Sequence, residues 1–326
     1  MEGILEYQVL GRSELTVSRV GLGCWAIGGH GWGPVDDSES LGAIRRALDL
    51  GINFFDTADV YGLGHSEEVL SRALGEERKQ VVIATKFGVR IGENGRSYRD
   101  LSPDWLSKAL EHSLRRLRLD CIPLYQIHHP ASGISMEGTL EALDRYKDQG
   151  KIRYIGCSNF SVEELRLAQK GHRLESLQVA YNLVDRGIER DLLPYSKGLK
   201  MGVIAYSPLA QGLLSGKFDE KTKFSEDDVR SRSKYFVDGN LEANLRVVRE
   251  LRQIAQSLGK TPAQVAIRWL IEHPSVASAI PGVKTARQVE ENVGGVGWSL
   301  GRELRERLEL GATFSSSPVS APRSFT

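Results

Sequence analysis

At 326 residues, 40% hydrophobic and 26% charged, with a formal net charge of +1, the chain has ordinary globular composition. Its charge balance excludes the basic surface of a nucleic-acid binder or of a protein held on an anionic membrane. Three scattered cysteines (Cys24, Cys121, Cys157) with no C-x-x-C spacing exclude a disulfide framework, point to a reducing compartment and leave no metal site expected.

The first residues, Met1 to Glu6, carry two acids and no apolar stretch of the kind that directs secretion. No apolar run reaches the length of a membrane span, so a cytoplasmic protein is expected. Tyr7 to Leu10 and Leu15 to Ser18 flank Gly11-Arg12-Ser13-Glu14, which predicts a hairpin able to plug a barrel bottom. Eight short apolar runs follow: Arg19–Leu22, Ile52–Phe55, Val81–Ala84, Leu124–Ile127, Arg153–Gly156, Leu177–Ala180, Val203–Tyr206 and Val276–Ile280. Several are β-branched or aromatic and nearly free of charge, as strands buried on both faces are.

Helical patterns lie between these runs. Leu41, Ile44 and Leu48 share one face, and Leu106, Leu110, Leu114 and Leu117 another. Ser102-Pro103 and Thr261-Pro262 read as N-caps followed by a first-turn proline, Ser161 to Glu164 as a capping box, and Gly51 as a helix stop. Strands alternating with helices make either an open doubly wound sheet or a closed barrel, and a count of eight favours a (β/α)8 TIM barrel. Gly21-Leu22-Gly23-Cys24-Trp25-Ala26 spells a dinucleotide fingerprint, but a glycine-rich loop, Ile27 to Pro34, stands where a helix should open. That loop, with Trp25 and Trp32, reads better as a pocket wall. Residues 218–239, after the seventh strand, are too long for a plain connection and predict a functional loop over a bound cofactor. The chain to residue 314 reads as one barrel domain with an extra C-terminal helix, and 315–326 as a poorly ordered tail.

Barrel chemistry gathers at the C-terminal strand ends. The second strand ends in Asp56, with Tyr61 in the loop beyond it. The third ends in Lys86, and the fourth in His128-His129. Taken singly, each has a plain structural reading: a helix cap, a surface charge, a packed ring. Together they supply an acid, a phenol, an ammonium and an imidazole facing one mouth. Reducing a carbonyl takes a proton and a hydride. Tyr61 would give the proton, Lys86 would lower its pKa, Asp56 would hold Lys86, and His128 would orient the carbonyl. No side chain supplies a hydride, so a cofactor must.

Gly51-Ile52-Asn53-Phe54-Phe55-Asp56-Thr57-Ala58-Asp59-Val60-Tyr61-Gly62 closely resembles the aldo-keto reductase superfamily. So do Ala84-Thr85-Lys86, Leu124 to His128, Gly150 to Phe160, Tyr206 to Leu209, Gly212 to Lys217 and Ile280-Pro281-Gly282, all in order. The likeness is to the bacterial and plant branch of general-stress reductases, related to potassium-channel β subunits. It implies the barrel, the tetrad Asp56, Tyr61, Lys86 and His128, and an extended nicotinamide cofactor at the mouth near Gly23 and Trp25. It implies Ser158, Asn159 and Gln178 at the carboxamide, Tyr206 on the ring, and Ser207, Leu209, Gln211 and Lys217 at the pyrophosphate. The segment from Gly282 to Asn292 matches the adenosine end, with Lys284 and Gln288 toward a 2′-phosphate and Glu291 and Asn292 toward adenine. Lys284 and Arg287, two cations at a helix start, favour NADPH over NADH, although either also reads as a solvated surface cation.

The sequence departs from the family at His129 and Ala131, which bear on pocket shape. Trp25, Trp32 and His129 are the expected substrate walls. The expected partner is a small carbonyl or alcohol, and no oligomeric state is specified. Two rivals stand beside the NADP(H)-dependent reductase: a nicotinamide-binding regulatory subunit, and a sugar or polyol dehydrogenase using the same residues in reverse.

Overall fold

The computed structural model describes residues 5–29, 32, 35–131, 135–237 and 239–313. The expected tail at 315–326 and residues 30, 31, 33 and 34 of the glycine-rich loop lie outside these.

The hairpin forms as expected. Strands β1 (Tyr7–Val9) and β2 (Thr16–Ser18) pair antiparallel. Its Leu10, Leu15 and Val17 enter the barrel interior and pack on Phe54, Val82, Leu124, Ile204 and Ala277. Then come β3 (Leu22–Gly23), β4 (Phe54–Asp56) and β5 (Val82–Phe87). A second antiparallel ribbon, β6 (Val89–Ile91) with β7 (Ser97–Arg99), interrupts the barrel. Strands β8 (Ile122–Ile127), β9 (Ile152–Ser158), β10 (Ser176–Ala180), β11 (Gly202–Tyr206) and β12 (Val276–Ile280) complete it. The eight barrel strands lie parallel in the order β3-β4-β5-β8-β9-β10-β11-β12, and bridges Val20–Ala279 and Gly23–Gly282 join the last to the first. Alternation does the sorting: Phe54 faces inward with the plug, while Phe55 faces the helices.

The first barrel strand is shorter than its apolar run. Residues 19–21 bond Ala279 on the β12 side. Toward β4, the Asn53 side chain accepts from Ser18 N at 2.7 Å and donates to Thr16 O, taking the place of a backbone ladder. The regular strand therefore starts at Leu22.

Ten helices surround the strands among the described residues: α1 (Asp37–Asp49), α2 (His65–Leu74), α3 (Pro103–Leu117), α4 (Glu137–Asp148), α5 (Val162–Ala168), α6 (Leu192–Gly198), α7 (Asn240–Leu258), α8 (Pro262–Ile271), α9 (Ala286–Val293) and α10 (Arg302–Thr313). The caps fall where the sequence put them. Ser102 accepts from Trp105 N, and Ser161–Glu164 and Thr261–Gln264 form reciprocal capping boxes. Each such cap contributes about 1 kcal/mol. The leucine face of α3 is buried throughout. Beyond the one expected extra helix, α7 is a second addition to the eightfold repeat. No described helix is long and apolar enough to cross a membrane.

Candidate active site

Asp56 ends β4 opposite Ala84, and Lys86, two residues further along β5, points the same way and reaches it at the mouth. Lys86 is fully buried, and its Nζ donates to Asp56 Oδ1 at 2.6 Å and to Thr57 O at 2.8 Å. The other carboxylate oxygen of Asp56 accepts from Gln178 Nε2 at 2.6 Å and from Gln126 Nε2 at 3.3 Å. A buried ion pair is tolerable only when its remaining hydrogen-bonding capacity is filled, and here two amides fill it.

Tyr61 reaches Lys86 from the short turn at Tyr61–Gly64. The phenol oxygen lies 3.4 Å from Nζ, and Nζ sits 5.0 Å from the ring centroid. That turn is held by glycine. Gly28 meets the Tyr61–Gly62 peptide so closely that a Cβ on Gly28 would lie 2.8 Å from the Tyr61 carbonyl carbon. Gly64, at φ +100°, leaves room for the Arg116 guanidinium, which a Cβ would strike at 2.6 Å. Arg116 in turn pairs with Glu67 at 2.7 Å, and Thr85, beside Lys86, donates to the same fully buried carboxylate at 2.6 Å. The Tyr61 turn and β5 are thus fixed to one ion pair behind the site.

Burial pushes the Tyr61 phenol well above its ordinary pKa, and the charge of Asp56 adds to this. The expected lowering by Lys86 is not seen, because Asp56 already answers the ammonium. Tyr61 is therefore held as a neutral phenol.

His128 follows β8, with its backbone N–H on Phe87 O at 2.9 Å. Its ring stands edge-on to Tyr61 at 5.7 Å and stacks on His129 at 5.2 Å. Burial, with help from Lys86, drives His128 well below the usual imidazole pKa. Burial and Arg99 push His129 down to about 3. Both are neutral at physiological pH. His128 Nδ1 has no partner among the described residues. Trp25 stacks on Tyr61 at 6.3 Å and meets Trp32 edge-on at 5.0 Å, so the two tryptophans lie together on the Tyr61 side.

The residues assigned to a cofactor gather along the same mouth. Asn159, at φ +63°, donates to His128 O at 3.1 Å and to Ser158 Oγ at 3.0 Å, and its Oδ1 accepts from Tyr206 at 2.9 Å. One amide therefore fixes the imidazole loop and the Tyr206 ring. Gln178 turns its amide to Asp56. After β11, Ser207, Ala210 and Gln211 all take left-handed backbone conformations, at φ +50°, +46° and +55°. Such strain costs about 1–3 kcal/mol per residue and clusters where a backbone is shaped for a ligand. The buried Gln211 Oε1 has no partner among the described residues. Leu209 begins this turn, and Asn182 holds it through Ser207 O at 2.9 Å.

Lys217, Arg230 and Lys284 converge nearby. Burial, then Arg230 and Lys284, depress the Lys217 pKa, so these cations feel one another. Lys284 Nζ also donates to Trp32 O, and Gln288 Oε1 accepts from Lys284 N at 2.7 Å. Arg287 and Gln288 are exposed on the first turn of α9, and Asn292 is buried further along it. Gly23 bridges Gly282 at the seam. Two lysines, with Arg230 paired to Asp228 beside them, stand next to a strained turn and an orphaned amide oxygen, and this set fits a bound pyrophosphate and a further phosphate.

The 218–239 segment, described except at 238, contains a short helical turn at Val229–Arg232. Phe218, Phe224 and Phe236 pack mutually edge-on, and Arg230 lies over Phe224 at 4.7 Å and near Trp32 at 5.9 Å. Tyr235 anchors the segment to Asp185 at 3.1 Å.

Sequence reasoning missed Gln126, the Glu67–Arg116 pair, Arg230 and the β6–β7 ribbon. Gln126 was within reach, since it lies two residues before His128 and so faces the same way on a strand. Arg230 and Arg116 act through contacts that no local pattern encodes.

The sequence model of the Aldo/keto reductase family matches residues 19–300. Aldo-keto reductase YhdN of Bacillus subtilis (strain 168) is 37% identical over 321 residues, covering 98% of this chain and 96% of that protein. Aldo-keto reductase yakc of Schizosaccharomyces pombe, named with NADP(+), is 33% identical over 304 residues, covering 90% and 89%. The structure of the glycerol dehydrogenase AKR11B4 from Gluconobacter oxydans superposes with a TM-score of 0.88 at 37% identity, covering 98% of each chain.

Proposed function

Given that the chain belongs to the aldo/keto reductase family of oxidoreductases, we propose that it is an NADP(H)-dependent reductase of aldehydes or ketones, working equally on the matching alcohols. The observation that carries this is the buried Lys86–Asp56 pair with the Tyr61 phenol 3.4 Å from Nζ. When bound, the nicotinamide supplies or accepts the hydride. The protein's own residues do the rest. His128, neutral through burial, hydrogen-bonds the carbonyl oxygen and turns it toward Tyr61. Tyr61, kept protonated, gives that oxygen its proton as negative charge develops on it. The phenolate left behind faces Lys86, whose ammonium Asp56 holds in place. In the alcohol direction the same phenolate takes the proton back.

Lys217, Lys284, Arg230, Ser207 and Gln211 would hold the cofactor's phosphates, and Ser158, Asn159, Gln178 and Tyr206 its nicotinamide end. Crowded cations near Lys284 support NADPH over NADH. The likeness to a glycerol dehydrogenase supports polyols among the alcohols.

The test joins binding to turnover. NADPH should bind more tightly than NADH by nicotinamide fluorescence. Tyr61→Phe should lower kcat by roughly 10²–10⁴-fold while leaving that binding in place. Near-normal turnover by Tyr61→Phe would remove Tyr61 as the proton donor. Tight binding with no turnover of any aldehyde would favour the regulatory reading.

A further inference from the structure

The β6–β7 ribbon rises beside the mouth immediately after Lys86 and Phe87, and its two faces differ. On one face Arg90 stands opposite Tyr98. It lies over the Tyr98 and Trp105 rings at 5.3 and 4.1 Å and pairs with Asp100 at 2.8 Å. That cation is thus paired and packed. On the other face Arg99 stands opposite the buried Val89. Arg99 is half-buried, yet no ion pair or side-chain hydrogen bond reaches it among the described residues. The adjacent acid, Asp100, is engaged by Arg90 and Ser102.

This sets Arg99 apart. Arg116, Arg186, Arg230 and Arg268, each also partly buried, all hold a carboxylate. Removing a guanidinium from water without a partner is unfavourable, so an idle one at a ligand mouth asks for an anion from outside. Its neighbours locate that anion. The His128 backbone N–H bonds Phe87 O at 2.9 Å, two residues before the Val89 that Arg99 faces, and the Arg99 charge adds to burial in lowering both imidazoles. His129 stacks on His128, and His128 meets Tyr61 edge-on. A line of groups therefore runs from Arg99 to the proton donor. Asp56 is the acid of the tetrad, and it is fully occupied by Lys86, Gln126 and Gln178.

We propose that Arg99 selects the substrate, and that the preferred carbonyl compound carries a carboxylate at the end remote from its carbonyl, paired with the Arg99 guanidinium beside His129. This rests on the reductase reading above and names its substrate class. One guanidinium balances one carboxylate, whereas a phosphate dianion would leave a negative charge at the mouth.

The experiment compares 4-carboxybenzaldehyde with its neutral methyl ester at saturating NADPH. In the unmodified protein kcat/KM should favour the carboxylate by about 10-fold or more, chiefly through KM, and the preference should shrink with added salt. Arg99→Gln should bring the ratio to about unity, and Arg99→Lys should leave it in between because an ammonium lacks the planar fork. A merely structural role would lower both substrates together and leave the ratio intact. That outcome, or no preference in the unmodified protein, overturns the inference while the reductase reading stands. Turnover of neither aldehyde would overturn both.

Discussion

The two ends of the barrel are made by the same eight strands and share nothing else. At the bottom, the side chains of Leu10, Leu15 and Val17 of the hairpin pack on those of Phe54, Val82, Leu124 and Ile204. At the mouth, two to four residues further along those strands, stand Asp56, Lys86 and Gln126, all buried. The bottom is closed by area removed from water, which is non-directional and tolerant of small changes. The mouth is closed by directed bonds, each of which leaves a buried orphan if its partner goes. The difference separates where this protein keeps its stability from where it keeps its chemistry.

The sharpest way to break that separation is at Lys86, where both meet. Lys86→Met leaves Asp56 buried with only two amides for company. Removing one member of a buried pair costs about 3–5 kcal/mol. The variant should lose that much in urea denaturation and lose at least about 10²-fold in kcat. An active, fully stable Lys86→Met protein would mean that the pair serves neither purpose.

Leu15→Ala is the complementary cut. It opens a cavity in the plug, and such deletions cost about 2–5 kcal/mol. The denaturation midpoint should fall, while kcat and KM measured well below the transition should hold within about twofold. Lost activity at unchanged stability would show that the hairpin reaches the mouth after all.

The same contrast governs what the sequence discloses. Runs such as Leu124–Ile127 are legible as strands because both their faces are buried. The tetrad is legible because Asp56, Lys86 and His128 break such runs where barrels do their chemistry. Placing Gln178, Tyr206 and Lys284 at a cofactor needed resemblance to a family. Beyond that, local pattern fails. Left-handed Ser207 and Gln211 carry no glycine to announce them. Arg116 meets Glu67 across 49 residues. The ribbon that carries Arg99 lies between the third and fourth apolar runs and has no place in the eightfold repeat. Even the raised Tyr61 pKa comes first from burial and then from the charge of Asp56, neither of which local sequence holds.

The smallest effect is the most diagnostic, because of the two ends compared the mouth carries imidazoles, His128 and His129, and the plug cluster carries none. His129 is pushed down to about 3 by burial and by Arg99, and burial drives His128 down as well. In the unfolded chain each titrates near pH 6.5. Between those values the unfolded state binds a proton that the native state refuses. The His129 contribution is therefore complete above about pH 7 and is lost as pH drops through 6.5 toward 3, by up to about 1.4 kcal/mol per pH unit, and His128 acts in the same direction. The depressed carboxylates do not confuse the reading, since Asp and Glu take up protons mainly below about pH 5. Urea midpoints at pH 7.5 and pH 5 should show His129→Gln losing about 2 kcal/mol less than the unmodified protein over that step. Leu15→Ala, whose damage lies among groups that do not titrate, should lose as much as the unmodified protein. Parallel losses in all three would mean that His129 is protonated in the native state, and the neutral mouth would be lost with it.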